Sequence, residues 1–404
     1  MIDFTPPFRN PGGSPIRELF KYLGEPGMIS LAGGYPANDL FDIAGLQAAA
    51  AQAWAQPTRC LQYGPTDGLP ELRHEVTRLM RERGVSVEPG QLLMTTGSQQ
   101  GFDLLLRVLV DPGDVVITEQ PAYPATLQAL KMQRAHVVTV PVDTQGLDVA
   151  RLAAMLASGT VAKPKLLYTV PTFANPTGAT LSRERRIALI GLAVKYRFLI
   201  VEDDPYGDLR FAGTPLPSLR ALAEEIDGAA AHVVYFGSLS KIVAPGLRVG
   251  WMVAPAEIVR RCVVAKQTVD LCSAPWTQAI AAAYLAQGSL AGHLPRITAA
   301  YRRKCDALCD ALDAHLAGRM RFERPDGGLF VWARMDGVDS SELLQHAIAR
   351  KVLFVPGRAF FADHVDVATL RLSFAAPGVE EIEPAVRRLA EAGNRSRAPL
   401  IRMS

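Results

Sequence analysis

The sequence predicts an α/β protein: a large domain on a mostly parallel sheet covered on both faces, followed by a smaller α+β unit. Three observations predict it. From Leu92 onward, short apolar runs alternate with helical stretches, the pattern of a parallel sheet with helices on each side. Past residue 290 a long helical stretch gives way to short strands with alternating polarity. The 404 residues are 49% hydrophobic and 21% charged, enough for a large core shared between two domains.

Bulk composition excludes several classes. Lys and Arg number 43 against 40 Asp and Glu, a net +3 that is too balanced for a nucleic-acid binder. No apolar run approaches a membrane span. The start, Met1-Ile-Asp-Phe-Thr-Pro-Pro, lacks the basic and apolar regions of a signal peptide, so a cytoplasmic protein is expected. Cys60, Cys262, Cys272, Cys305 and Cys309 are odd in number and scattered, and reduced thiols are expected rather than disulfides or zinc. The seven histidines show no H-E-x-x-H spacing, so no metal is expected.

Taken in order, Ser14-Pro-Ile-Arg-Glu-Leu-Phe-Lys21 reads as a short helix with Ser14 as N-cap and Pro15 at its first position. In Leu31-Ala-Gly-Gly-Tyr-Pro36, Gly33 and Gly34 either let the backbone approach a ligand or simply turn tightly. An alanine-rich helix over 46–54 precedes the loop Leu61-Gln-Tyr-Gly-Pro-Thr-Asp-Gly68, which carries Tyr63. A strand over 92–95 turns through Thr96-Gly-Ser-Gln-Gln100 into a helix over 101–110. Such a helix start, with Ser98 and Gln99 on it, binds phosphate well; Ser98 as a plain N-cap is the alternative. A strand over 114–118 ends at Glu-Gln-Pro-Ala-Tyr-Pro124, where Tyr123 is held between two prolines and could stack on a flat heterocycle. A strand over 165–170 leads to Asn175-Pro-Thr-Gly178, by itself a generic turn.

A strand over 198–201 runs into Glu202-Asp-Asp-Pro-Tyr206, and acidic residues just past a buried strand need partners. The apolar run over 233–236 stops at Gly237-Ser238. Ser238, Ser240 and Lys241 then come close together, Pro245-Gly246 turns the chain, and Arg248 precedes a second apolar run over 249–253. Residues 267–287 read as largely helical, and a long helix over about 294–316 links to the second unit. Strands are predicted over 326–332, 353–357 and 369–375, and alternation in the last puts Arg371 and Ser373 on one face.

The chemistry concentrates around Lys241. An apolar pocket lowers a lysine's pKa and makes its amine a nucleophile toward carbonyls. Ser238 and Ser240 with Arg248 suit a phosphate dianion. Carbonyl and phosphate on one ligand suggest pyridoxal 5'-phosphate held as a Schiff base; an ordinary lysine in a surface loop is the alternative. Ser98, Tyr123, Asn175, Asp203 and Lys241 each follow the carboxyl end of a predicted strand, the edge where open α/β sheets bind ligands.

Ser238-Leu-Ser-Lys241 followed by Pro245-Gly-Leu-Arg248-Val-Gly250 resembles the cofactor-lysine motif of class I/II aminotransferases, the fold-type-I pyridoxal-phosphate enzymes. The branch it is most similar to holds 2-aminoadipate and kynurenine aminotransferases and the aminotransferase-like half of certain bacterial regulators. The resemblance runs from about Ser14 to Ala390, with several motifs in the family's order. It implies a homodimer that moves an amino group from an L-amino acid to a 2-oxo acid such as 2-oxoglutarate by a ping-pong route. By the same resemblance Lys241 carries the cofactor and moves the proton at Cα. Asp203 pairs with the pyridine nitrogen, with Asp204 as its rival. Asn175 and Tyr206 bond the phenolic oxygen, and an aromatic residue, here Tyr123, covers the ring. Ser98, Gln99, Ser238, Ser240 and Arg248 hold the phosphate, joined by Tyr63 from the neighbouring subunit. Arg371, Asn175 and Gly34 meet the substrate, and Arg17 meets a distal carboxylate.

The implied division is an N-terminal segment (1–44) that joins the small domain and covers the site, a large domain (45–290) and a small C-terminal domain (291–404). No basic helix-turn-helix region precedes the matching part, so the regulators' DNA-binding half is not expected. A lyase, decarboxylase or oxidase on the same machinery, or a sensor with little turnover, remains open at this stage.

Overall fold

The computed structural model describes residues 2–9, 12–161 and 163–395. Its centre is an eight-stranded sheet. Across it the order is Leu92–Thr95, Gly250–Val253, Val233–Ser238, Leu199–Asp203, Leu166–Thr169, Val115–Gln120, His136–Asp143 and Gly146–Leu147. Gly250–Val253 runs antiparallel to both its neighbours, so Leu92–Thr95 points the same way as the parallel set beyond. The carboxyl ends that precede Ser98, Tyr123, Asn175, Asp203 and Lys241 therefore share one edge of the sheet.

The strands are apolar without a break because both of their faces are buried. Successive residues go to different sides: Val116, Leu166, Val201 and Val234 join one apolar core, and Ile117, Leu167, Ile200 and Val233 join another. Helices Ser98–Leu109, Arg183–Tyr196 and Ala256–Val269 supply part of this cover. Their starts are marked in the sequence. Ser182, for example, accepts a hydrogen bond from the Arg185 amide at 3.3 Å as an N-cap.

The C-terminal part holds a four-stranded antiparallel sheet, in the order Arg321–Phe322, Phe330–Arg334, Thr369–Ser373 and Val355–Pro356. The helices Ser289–Leu316 and Val379–Arg395 pack together beside it. The N-terminal segment joins this part. Ile29–Ser30 pairs in parallel with Val352–Leu353, and the Leu31 carbonyl accepts from the Ser373 amide at 2.7 Å. That pairing carries the Gly33-Gly34 loop to the foot of Arg371.

Several boundaries differ from the sequence reading; the strand expected over 326–332, for one, is Phe330–Arg334, and the helix expected over 46–54 begins at Ile43. The helix expected from 101 begins at Ser98, because Gly97 at φ +90° takes the capping position; Ser98 is the first helical residue, not the cap. Glu202 and Asp203 lie inside the strand, with Asp203 opposite Phe236, instead of just beyond it. The stretch 267–287 is two helices, Ala256–Val269 and Pro275–Ala286, since Pro275 cannot continue a helix but starts one well. The long helix starts at Ser289, not near 294. Ser14 occupies the N-cap position of Pro15–Glu18, yet its side chain makes no capping bond. Among the described residues no helix is long and apolar enough to cross a membrane.

Candidate active site

Every site residue that the resemblance implies, with two exceptions, lines a single cavity of about 330 Å³ at the carboxyl edge of the large sheet. The exceptions are Asp204, the rival to Asp203, and Tyr63, which stands 77% exposed; neither is part of this cavity's lining.

One end of the cavity is built for an anion. The helix Ser98–Leu109 points its first amides, those of Ser98 and Gln99, into it. Two glycines make this possible. Gly97 needs its positive φ, and a Cβ there would meet Arg248 Nη2 at 2.6 Å. Gly250 passes directly beneath the turn, where a Cβ would meet Gly97 backbone atoms at 2.8 Å. Arg248 itself adopts a left-handed conformation, φ +53°, at the end of the turn Pro245–Leu247. From there its Nη2 donates to the Thr96 carbonyl at 2.7 Å. Ser238 and Ser240 face the same space, and the Ser238 hydroxyl donates to Ser240 Oγ at 2.9 Å.

Lys241 lies between this end and Arg371. Its Nζ donates to the Gly34 carbonyl at 2.8 Å. Burial, then the charges of Arg371 and Arg248, lower its pKa to about 8, against which the Asp203 carboxylate works. About a tenth of the amine is thus unprotonated at pH 7, and about half at pH 8.

The two aspartates separate cleanly. Asp203 faces the cavity. Its Oδ2 accepts from the Tyr168 hydroxyl at 2.5 Å, while Oδ1 is buried without a hydrogen-bond partner. Burial pushes the carboxyl up to about 6. Asp204 faces elsewhere: Oδ2 accepts from Tyr235 at 3.1 Å, Oδ1 from the Gly207 amide at 3.0 Å, and Arg83 sits beside it.

Arg371 is 1% exposed. Nη1 donates to Asn175 Oδ1 at 2.9 Å and Nη2 to the Ala32 carbonyl at 2.6 Å. Rings of Phe330 and Phe360 lie 4.2 and 5.1 Å from its guanidinium carbon and fix its plane. A guanidinium has five N–H groups, so donors remain for a carboxylate, and Nε is buried with no partner. Burial lowers its pKa to about 10, which leaves it charged at neutral pH. Tyr206 hydrogen-bonds Asn175, and burial raises its pKa, so it keeps its proton. Tyr123, raised in the same way, occupies the N-cap position of Pro124–Gln133 without a side-chain capping bond.

An orphaned carboxylate oxygen, an anion cradle, a deprotonatable lysine and a spare guanidinium N–H share one cavity. This donor set fits pyridoxal phosphate: Asp203 could pair with the ring nitrogen, Asn175 and Tyr206 with the ring oxygen, and the cradle with the phosphate. The family model described as aminotransferase class I and II matches residues 28–389. The chain belongs to that family. As an aminotransferase it uses pyridoxal phosphate.

The aminotransferase is 41% identical over 391 residues to aromatic-amino-acid aminotransferase 1 of Thermococcus litoralis, covering 94% of this chain and 91% of that one. It superposes with a TM-score of 0.92 on a kynurenine aminotransferase of Pyrococcus horikoshii solved in complex with PMP, at 36% identity and 98% coverage of both chains. It superposes at 0.87 on LysN, an alpha-aminoadipate aminotransferase of Thermus thermophilus complexed with N-(5'-phosphopyridoxyl)-L-leucine, at 37% identity and 95% coverage of both.

Two features of the aminotransferase's site escaped the sequence reading. Tyr168 bonds Asp203 and packs its ring on Phe102, with centroids 4.8 Å apart. Its signal was a hydroxyl inside a fully buried strand, which must find a partner. Ile16, Phe20 and Tyr35 add an apolar wall beside Arg17, and Phe20 meets Tyr35 edge-on at 6.0 Å. Arg17 itself is exposed on the helix Pro15–Glu18 at the cavity mouth and makes no ion pair among the described residues.

Proposed function

We propose that this aminotransferase moves the amino group of aromatic and dicarboxylic L-amino acids to a 2-oxo acid such as 2-oxoglutarate, by a ping-pong route, in a homodimer. The observation that carries the substrate reading is the cavity wall, where an exposed arginine, Arg17, stands beside Ile16, Phe20 and Tyr35. The names of the relatives, which span aromatic amino acids, kynurenine and alpha-aminoadipate, support it.

When bound, pyridoxal phosphate supplies a carbonyl for the amino group and a ring that withdraws electrons from Cα. The chain's own groups do the rest. Arg371 grips the α-carboxylate and sets the Cα–H bond toward Lys241. Lys241 Nζ, with its pKa lowered to about 8, takes the proton from Cα and returns it as general base and acid. Asp203 holds positive charge at the ring nitrogen; Asn175 and Tyr206 hold the ring oxygen; Tyr123 covers the ring. Ser98, Gln99, Ser238, Ser240 and Arg248 bind the phosphate. Gly34 gives way to the substrate as its carbonyl releases Lys241. An assay of amino donors against 2-oxoglutarate and pyruvate tests the reading. New amino acid should form with aromatic and dicarboxylic donors. Ammonia or pyruvate released without an acceptor would instead indicate a lyase.

Arg17→Ala should raise KM about ten- to a hundred-fold for dicarboxylic substrates, the worth of a charge-assisted hydrogen bond, and leave aromatic or leucine-type substrates nearly unchanged. Arg371→Ala should weaken both classes together. Steady-state kinetics on glutamate and tyrosine decide it: equal losses for both in Arg17→Ala would make the helix a cover with no part in reading side chains.

The homodimer is supported by apolar side chains left exposed on the single chain, among them Trp54, Leu61, Tyr63, Val264 and Leu271. Tyr63 then reaches the phosphate of the partner's site. Hybrid dimers of a Tyr63-defective and a Lys241-defective subunit should recover partial activity, since one of their two sites is intact. Mixed dimers with no recovery would count against a shared site. A cytoplasmic location is supported by five unpaired cysteines.

A further inference from the structure

Behind the anion-binding turn lies a polar cluster that none of the chemistry above uses. Lys266, on the helix Ala256–Val269, is 0% exposed. Its ammonium gives hydrogen bonds to both carboxylate oxygens of Asp270, at 2.6 and 2.8 Å. Asp270 Oδ2 also accepts from Gln100 Nε2 at 2.6 Å and from Thr96 Oγ1 at 3.4 Å. Gln100 Oε1 in turn accepts from the Thr96 amide at 2.8 Å. On the opposite side the Thr96 carbonyl takes the 2.7 Å bond from Arg248. Thr96 is thus held through its amide, its hydroxyl and its carbonyl, and the next three residues are the Gly97-Ser98-Gln99 of the anion cradle.

Lys266 is fully buried and Asp270 is 26% exposed, and desolvation offsets much of the attraction in such a pair, so it adds little net stability. Its value here lies in direction. The pair fixes the Gln100 amide, the amide fixes Thr96, and Thr96 fixes both the first helical amides and the arginine that faces them. We propose that Lys266 and Asp270 are positioning residues for phosphate binding, setting the distance between the start of the helix Ser98–Leu109 and Arg248. The inference rests on the reading that this turn holds the cofactor phosphate.

The test compares binding of pyridoxal 5'-phosphate with binding of pyridoxal, which lacks the phosphate, by fluorescence titration of the full-length protein. Wild type should prefer the phosphorylated form strongly. Asp270→Ala should lose about ten- to a hundred-fold of that preference, the range for hydrogen bonds to a charged group, with pyridoxal affinity unchanged. Asp270→Asn, which keeps an acceptor for Gln100 and Thr96, should lose less. Should the lone buried Lys266 of Asp270→Ala prevent folding, the uncharged pair Lys266→Met/Asp270→Leu restores an apolar packing and should show the same selective loss. A wild-type ratio in these variants, or an equal weakening of both ligands, would reduce the pair to a structural support and overturn the proposal. A wild type that does not distinguish the two ligands would overturn both the proposal and the anion-site reading beneath it.

Discussion

Lys241→Ala is expected to lose transamination by about four orders of magnitude or more, the upper range for a general acid–base group, since in the proposed mechanism the same amine also carries the cofactor. The variant should still bind pyridoxal phosphate through Arg248 and the helix start, but borohydride should no longer attach it to the protein. Two properties of the amine make the result specific. Burial and the nearby charges of Arg371 and Arg248 put its pKa at about 8. Covalent uptake of cofactor by the wild-type apoprotein should therefore rise with pH to a midpoint near 8, not near the 10.5 of a free lysine. The sign of the stability effect follows. Between 8 and 10.5 the unfolded chain holds a proton that the folded chain has lost, so stability rises with pH through that window. Below 8 the buried charge costs stability in full. Cofactor-free Lys241→Ala should then melt no lower than wild type at pH 7 in calorimetry, so its inactivity cannot be charged to unfolding. Retention of substantial transamination would remove Lys241 from the mechanism.

Much of this site was legible because its parts are tied to local sequence signals. A buried parallel strand shows as a continuous apolar run, and its carboxyl end is where polar residues resume; reading those ends located Ser98, Tyr123, Asn175, Asp203 and Lys241. What stayed hidden was set by contacts distant in sequence. No local pattern says that Gly97 needs a positive φ because Arg248 and Gly250 crowd it. The strand Leu199–Asp203 ran further than expected because pairing to Val233–Ser238 outweighs the poor strand propensity of Glu202 and Asp203. An arginine inside a strand more often sits on a solvated face; Phe330, Phe360 and the Ala32 carbonyl make Arg371 an interior one. Tyr63 shows the opposite case. It stands exposed on the single chain, and the role proposed for it needs a second one.

The choice between the two neighbouring aspartates gives the second large effect. Asp203→Asn should keep the fold and lose most of the rate. A carboxylate holds the ring nitrogen charged and an amide cannot; each pKa unit lost there is about 1.4 kcal/mol, so two or three units amount to roughly a hundred- to a thousand-fold. Stability should move the other way. Burial raises the Asp203 carboxyl from 3.8 to about 6, so in that interval the folded chain holds the extra proton and stability falls as pH climbs. Above 6 the buried charge is a standing cost in the cofactor-free protein, offset only in part by the Tyr168 hydroxyl. Removing it by Asp203→Asn should leave the melting temperature at pH 7 unchanged or higher. Asp204→Asn should leave the rate near that of the wild type, although burial raises this carboxyl as well. Its carboxylate is tied to Tyr235, to the Gly207 amide and to the Arg83 charge, and Arg83 also pairs with Asp208. An amide keeps an acceptor there, Arg83 keeps Asp208, and the oxygen that faces the cavity is untouched. Steady-state kinetics therefore separates the two variants, and calorimetry checks that both fold. A crippled but stable Asp204→Asn beside a normal Asp203→Asn would transfer the role to Asp204 and leave the unpartnered Oδ1 of Asp203 without a purpose.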